Sequence, residues 1–507
     1  MLLNNIGPGG AEGSAGTPAG YDSSNQQNKR GRIIFRRRVT PVHGGSTLGS
    51  KSEKLGMKII IIGAGNVGST LVEQLAHEGH DITIIDTVAK KIQAITDSYD
   101  VMGLVGNGAS YSVLMEAGIE QADLLIAVTE ADELNLLCCT VAKRVGRCAA
   151  IARVRMPDYS KEVQYLQEQL GLALVINPEM ETAKEAARIL AMPTALEVMS
   201  FAHGQAEMIK IAIPEGNKIA GMTLAEVSKK LPVRALVCAI ERAGEVYIPS
   251  GSFRLESGDT LTFVASRRNV RVFMDTFGFK SRRVRDTLIV GGSKAAYYLA
   301  QELIHAGVSV KIIEQNRERC DELSVLLPKA IIINGDGTEE NLLKEEGIEQ
   351  ADSFVPLTGI DEVNIILTLY ARKISNAKVI TKINRMNFKS VVNSLELGSV
   401  IYPRYITAEA IVAYVRARSE SRNNSIETLY HLFDHRVEAI EFRVDAESDV
   451  TGIPLKELNS RDELLIAFIN RDGHIIIPSG LDSIEVGDTV MIVTRHEGMT
   501  SLSEILK

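Results

Sequence analysis

A six-residue string occurs twice in this 507-residue chain. Gly118-Ile119-Glu120-Gln121-Ala122-Asp123 returns unchanged as Gly347-Ile348-Glu349-Gln350-Ala351-Asp352. At the same spacing Asp132-Glu133-x-Asn135 returns as Asp361-Glu362-x-Asn364, Pro249-Ser250-Gly251 as Pro478-Ser479-Gly480, and Gly258-Asp259 as Gly487-Asp488. Nearer the start of the unit the spacing is one shorter, because Gly63 pairs with Gly291 and Asp86 with Glu314. The chain is therefore two copies of one unit of about 228 residues, too long for a solenoid repeat and long enough for two small domains.

Within the first copy, Lys58 to Ile62 is a short apolar run of the kind that forms a buried parallel strand. A glycine-rich turn follows, then a helical period through Leu71, Leu75 and Ala76, then a second apolar strand that ends at Asp86. Strand and helix go on alternating through Leu124–Val128 and Ala149–Ala152, which is the pattern of a doubly wound parallel sheet. From about residue 198 the texture changes to short strands and turns (206–213, 237–241, 246–249 and 260–265). The expected fold class is α/β: two doubly wound, Rossmann-like domains with parallel sheets, each followed by a small α+β module. An aromatic content of 5% with no Trp suits such layers better than a β-sandwich.

The turn after the first strand reads Gly63-Ala64-Gly65-Asn66-Val67-Gly68 and has an acid, Asp86, 23 residues after its first glycine. In a strand–turn–helix context this spacing has a mechanism. Gly63 permits the tight turn, Gly65 lets backbone N–H groups approach a pyrophosphate, and Gly68 allows close helix–sheet packing. The helix N-terminus adds partial positive charge. Asp86 is suited to a ribose diol and repels a 2′-phosphate, so NAD(H) or an adenine nucleotide is favoured over NADP. The second copy reads Gly291-Gly292-Ser293-Lys294-Ala295-Ala296. It keeps the turn glycine and the acid, Glu314, but Ser293 carries a Cβ where a pyrophosphate would approach. Thr129 and Glu130, matched by Thr358 and Gly359, lie at the carboxyl edge of the sheet, as do Arg153 and its counterpart Lys382. A cation there neutralises phosphate. Asn107 and Asp336 either reach an adenine edge or shape their turns.

Charge is divided unevenly. Of 56 Lys/Arg and 64 Asp/Glu, residues 1–56 hold eight and three, a net of +5, which leaves −13 for 57–507. An acidic body offers no electrostatic footprint for nucleic acid. The first 56 residues also carry eleven of the 41 glycines and no sustained apolar period, so this stretch is expected to be a disordered, basic, glycine-rich tail. It reads as a solvated tail or as sequence upstream of a start at Met57, with contact to an anionic membrane the alternative. It has no apolar core of a secretory signal. No run approaches the roughly 18 apolar residues of a membrane span. Five Cys without CxxC spacing read as reduced thiols, and His431 with His435 falls short of a metal site, so no metal is expected. The strand-rich modules offer no His/Asp or Lys/Tyr cluster, so no catalytic residue is assigned. Gly258-Asp259 and Gly487-Asp488 read as hairpin turns.

Together, Met57 to Gly68, Asp86, Ala127-Val128-Thr129-Glu130-Ala131-Asp132-Glu133, Ile151-Ala152-Arg153-Val154-Arg155 and the duplicated layout resemble the TrkA family. Its members are cytosolic NAD/ATP-binding subunits of Trk-type bacterial potassium uptake systems. The likeness covers essentially all of 57–507, with each unit similar to an RCK (KTN) domain followed by an RCK C-terminal domain. It implies boundaries of 57–176 and 198–282 in the first unit and 285–402 and 425–507 in the second. It implies one nucleotide site at Gly63, Ala64, Gly65, Asn66, Val67, Asp86, Thr129, Glu130 and Arg153. A second is implied at Gly291, Gly292, Ser293, Lys294, Ala295, Glu314, Thr358, Gly359 and Lys382. It further implies a homo-tetrameric ring on the inner face of the plasma membrane that gates a Trk-type potassium channel in response to NAD/NADH, ATP or ADP. The alternatives are an NAD-dependent oxidoreductase or the regulatory subunit of another cation channel or antiporter.

Overall fold

The computed structural model describes residues 56–507, apart from residue 161, 280–282, 386–391, 393–394, 396, 420–423, 434–435 and 497, together with the backbone of Gln26–Gln27 and Ile33–Phe35. The expectation of a disordered tail over 1–56, like the reading of His435, falls mostly outside these residues. Where the tail is described it departs from that expectation. Gln26–Gln27 pairs with Ile33–Phe35, and Ile33–Phe35 lies antiparallel to Met102–Val105 with Ile34 opposite Leu104. An Ile-Ile-Phe triplet has strong β propensity and caps an otherwise open sheet edge.

Each repeat opens with a parallel sheet. The first runs Met102–Val105, Asp81–Asp86, Lys58–Ile62, Leu124–Ala127, Ala149–Arg153, Leu174–Ile176. The second runs Ile331–Asn334, Ser309–Glu314, Asp286–Val290, Ser353–Pro356, Lys378–Lys382, Ser399–Ile401. In sequence terms both orders are 3-2-1-4-5-6, the doubly wound arrangement, whose direction of winding reverses between the first and fourth strands. The central strands are Ile- and Leu-rich because helices cover both faces. Two five-stranded antiparallel sheets complete the repeats. The first contains Ala206–Ala212, Leu236–Arg242 and Thr260–Ser266, the second Val437–Val444, Leu464–Arg471 and Thr489–Thr494. The two sheets bury a shared core that includes Phe201, Met208 and Val264 from one and Phe468, Met491 and Val493 from the other. The Gly-Asp dipeptides do not close hairpins as expected: they lie in the turns entering Thr260–Ser266 and Thr489–Thr494, neither of which pairs with the strand just before it, and there Asp259 and Asp488 are buried and each takes a two-pronged ion pair, from Arg242 and Arg471 respectively.

The connection between sheet and module is a long helix in each repeat, and sequence periodicity did not single it out. Pro178–Ala191 begins with Pro at its first turn and Asn177 as cap, the Asn177 side chain accepting from Met180 N–H at 3.0 Å. Its buried face (Thr182, Ala183, Ala186, Ile189, Leu190) packs on Lys294–His305, the first helix of the other repeat. Pro403–Ser419 does the converse: Ile411, Val412 and Val415 share a core with Leu71, Val72 and Leu75 of Asn66–His77. Arg416 on this helix ion-pairs with Glu78 at 2.6 Å and Glu438 at 2.9 Å. The repeats are thus interlocked by exchanged helices. All five cysteines are free and buried, and burial pushes the Cys138 and Cys238 thiols up to about 12. Among the described residues no helix is long and apolar enough to cross a membrane.

Candidate functional site

The glycine turn of the first repeat sits at the switch point of its sheet, where crevices form in this fold. Gly63 has φ +106°, and a Cβ there would press on Thr129 N and the Val128 carbonyl at 3.0 Å. At Gly68 a Cβ would lie 1.9 Å from Gly63 O, so loop and helix meet backbone to backbone. Gly65 is different. It has extended backbone angles, caps the helix without a side-chain hydrogen bond, and has nothing within 4 Å of where a Cβ would stand. The space that a side chain would fill lies open above the first turn of Asn66–His77, whose leading N–H groups have no capping oxygen from Gly65.

Asp86 closes the turn from below. Its two carboxylate oxygens accept from Ala64 N–H and Val88 N–H, both at 2.8 Å. A carboxylate has about four acceptor sites, so clamping the loop leaves room for a diol. Across the switch point Asn135, fully buried, organises the facing edge. Its Oδ1 accepts from Thr129 N–H (2.8 Å) and Thr129 O–H (2.7 Å), while its Nδ2 donates to the carbonyls of Thr129 (3.1 Å) and Arg153 (2.9 Å). Three residues earlier, Asp132 accepts from the backbone N–H groups of Arg155 and Met156 at 2.7 Å. The repeated Asp-Glu-x-Asn string is therefore the brace that holds two strand ends in register. Its recurrence was visible in the sequence, but its role was not, because that role depends on partners 6 to 24 residues away.

Gly63, Gly65, Asn66, Val67, Asp86, Thr129, Glu130 and Arg153 line one cavity of about 460 Å³, and Asn107 lies in its wall with Lys91 and Arg155. Arg153 reaches Glu179 at 3.6 Å, yet its Nε is buried without a hydrogen-bond partner among the described residues. Burial lowers its pKa. An open cradle at an uncapped helix start, a carboxylate at the end of the second strand and an unsatisfied guanidinium nitrogen across the gap fit an adenine nucleotide or NAD. In such a fit, backbone N–H groups of 65–68 would hold phosphate and Asp86 the ribose. Asn107 Oδ1 accepts from Ala109 N–H at 3.0 Å, which shapes its turn.

The second repeat reproduces the clamp but alters the cradle. Glu314 accepts from Gly292 N–H (2.6 Å) and Asn316 N–H (2.7 Å), Gly291 has φ +99°, and Asn364 bridges Thr358 and the Lys382 carbonyl as Asn135 does in the first. Here the Ser293 hydroxyl accepts from Ala296 N–H at 3.3 Å and caps the helix itself. Arg319, at the position of Lys91, donates to Gly292 O at 2.6 Å. The local N–H and the local cation that a phosphate would use are engaged internally. Asp336 takes Thr338 N–H and O–H and shapes its turn. Two residues expected at this second site, Ala295 and Lys382, line the first cavity instead, because the exchanged helices turn that face of the second repeat toward the first. Gly292, Lys294 and Gly359 occupy positions matching Ala64, Asn66 and Glu130 on this second loop and edge.

Two doubly wound domains, each with a phosphate-type turn and an antiparallel module, define a tandem Rossmann-type ligand-binding protein. The TrkA-N domain family matches residues 59–178 and 287–403, and the TrkA-C domain family matches 208–278 and 439–507. The chain belongs to the TrkA family. It is 34% identical over 439 residues to the Trk system potassium uptake protein TrkA of Halomonas elongata, covering 86% of this chain and 95% of that one. It is 31% identical to the TrkA homolog of Archaeoglobus fulgidus, covering 89% and 100%. Among solved structures, the GsuK RCK domain superposes with a TM-score of 0.57 at 16% identity, covering 89% of this chain and 95% of that chain. A GsuK channel bound to NAD gives 0.57, also at 16% identity, covering 89% and 78%.

Proposed function

We propose that this chain is a nucleotide-sensing, non-catalytic subunit that regulates a Trk-type potassium uptake system. It assembles as a homo-tetramer on the cytoplasmic face of the membrane and binds NAD(H) or an adenine nucleotide chiefly in the first repeat. The observation that carries this reading is the open cradle at Gly65 facing Asp86, Thr129 and Arg153 across one cavity. Its relatives are Trk system potassium uptake proteins, which supports the potassium system, and a GsuK channel of similar fold is bound to NAD, which agrees with the ligand class. Nucleotide shifts the ring by binding one conformation more tightly than another; couplings of roughly 1–3 kcal/mol correspond to about 5- to 150-fold changes in affinity.

Calorimetry of the full chain with NAD, NADH, ATP and ADP tests the reading. Binding of at least one ligand, with no change in nicotinamide absorbance when small organic substrates are added, is the expected result. Substrate-dependent oxidation of NADH would place the protein among the oxidoreductases and overturn it.

A further inference from the structure

A second cavity, of about 400 Å³, opens one turn farther along the helix Pro178–Ala191 than Thr182, which lines the first. Four carboxylates (Glu185, Glu197, Glu241, Glu409) and three basic groups (Arg188, Lys210, His431) line it. Three of the carboxylates are matched. Glu197 pairs with Lys210 at 2.8 Å, Glu241 with Arg436 at 2.6 Å, and Glu409 with His431 at 3.5 Å. What remains is one acid and one base, Glu185 and Arg188, and neither has a hydrogen bond or ion pair among the described residues. They stand three residues apart, a spacing at which opposite charges on a helix ordinarily meet. On the same helix Glu181 and Lys184 do meet, at 2.8 Å. Glu185 and Arg188 do not close on each other, and each lines the cavity with its charge unpaired.

The surroundings sharpen the contrast. Burial, then Glu197 on the first module's edge strand, Glu409 on Pro403–Ser419 and Glu181 one turn earlier hold the Glu185 carboxyl up to about 8, against the opposing pull of Arg188. A carboxyl group in that state gains from an added cation with N–H donors. Across the cavity stands Tyr430, on Asn424–Leu432 of the second module, whose hydroxyl has no hydrogen bond among the described residues. Burial pushes that hydroxyl up to about 12, and Arg188 is the charge it feels most. Val198, Met199, Leu397 and Ile406 add an apolar wall. Aligning the exchanged helices through their leading prolines sets Ala410 and Ala413 at the places of Glu185 and Arg188, just as Arg404 stands at the place of Glu179. The acid and base are therefore not something the helix crossing requires.

We propose that this cavity binds a free α-amino acid with an apolar side chain, its ammonium group on Glu185, its carboxylate on Arg188 and the Tyr430 hydroxyl, and its side chain against the apolar wall. The two head groups of such a ligand are the two partners the cavity lacks, and both contacts are charge-assisted. A zwitterion makes them without adding net charge to a site shielded from water. An amine or a carboxylic acid satisfies only half of the site. The cavity is separate from the glycine loop, and the proposal does not depend on nucleotide binding there.

The test is calorimetry of the full chain at pH 7 with each of the twenty amino acids. At least one apolar member is expected to bind, one per chain, with a Kd of about 1 mM or tighter. The amine and the carboxylic acid that share its side chain (3-methylbutylamine and 4-methylpentanoate for leucine) should each bind about tenfold more weakly or worse, and Glu185→Gln and Arg188→Gln should weaken the amino acid by as much. An ammonium group ionises a carboxyl that is mostly protonated at pH 7, so binding should release about one proton, read from the heats in buffers of different ionisation enthalpy. Glu185→Gln should release almost none. Failure of all twenty at about 10 mM, binding restricted to amino acids with charged side chains, equal binding of the amine or the acid, or indifference to both substitutions overturns the proposal. The analogue series uses the unmodified chain, so it decides the matter even where a variant fails to fold.

Discussion

Gly65→Asp should separate folding from binding, because the two respond with opposite signs. The backbone at Gly65 has φ −83°, and a Cβ there meets nothing within 4 Å, so an aspartate fits without strain. It would also cap a helix that has no side-chain cap and no acid in its first turn. Replacing Gly at such a position with a capping acid is worth a few tenths of a kcal/mol from the cap and about 0.3–1 kcal/mol from the helix dipole. The folded state should therefore be unchanged or slightly more stable. Binding should collapse. A carboxylate roughly 4 Å from a phosphate charge, at an effective dielectric constant of about 20, costs about 4 kcal/mol, or roughly a thousandfold in affinity. The second repeat carries a milder form of the same change, since Ser293 caps its helix through Ala296 N–H. Thermal unfolding and nucleotide titration on one preparation decide the matter. Retained binding would show that no phosphate sits on this loop, and a markedly lower melting temperature would show that the space above Gly65 is not open.

Gly63→Ala should act in the contrary sense, destabilising the protein by about 2 kcal/mol or more, since φ +106° and 3.0 Å contacts to Val128 and Thr129 backbone leave neither conformation nor room for a methyl; chemical denaturation would measure it, and wild-type stability would contradict the geometry. Stability should also fall on the alkaline side. Burial pushes the His431 pKa down, but hydrogen bonds and charge from Glu409 and Glu438, at 3.5 and 3.3 Å, outweigh it and hold the pKa up to about 9. A raised pKa stabilises fully below the unfolded value of about 6.5 and loses that contribution as pH rises through 9. Glu438 is the opposite case: burial pushes it up, and His431 and Arg416 more than offset this, so its contribution is lost only in acid. Comparing denaturation at pH 6 and pH 9.5 for the native chain and His431→Gln should show a steeper decline in the native chain; parallel profiles would refute the assignment.

Much of this architecture could be read from the chain. Short Ile-rich runs set off by glycine turns announce parallel strands, and an identical hexapeptide at residues 118 and 347 announces the duplication. What escaped reading was whatever depends on the two repeats meeting. The amphipathic helices Pro178–Ala191 and Pro403–Ser419 look alike whether they fold back on their own sheet or cross to the other, so the crossing and its removal of Lys382 to the first cavity were not legible. Nor was the brace at Asn135 and Asn364, because a buried amide resembles a surface one until its four partners are placed.

The crossed helices carry a consequence for how such a chain can diverge. A single unit cut out near residue 195 would leave the apolar stripe of Ile189 and Leu190 without its host, and only a twin could supply one. Joining both units in one polypeptide fixes that twin at one-to-one stoichiometry. It also frees the halves from identity: one can keep glutamate where the other has arginine, a difference that two copies of a single-unit protein could never display at the same time.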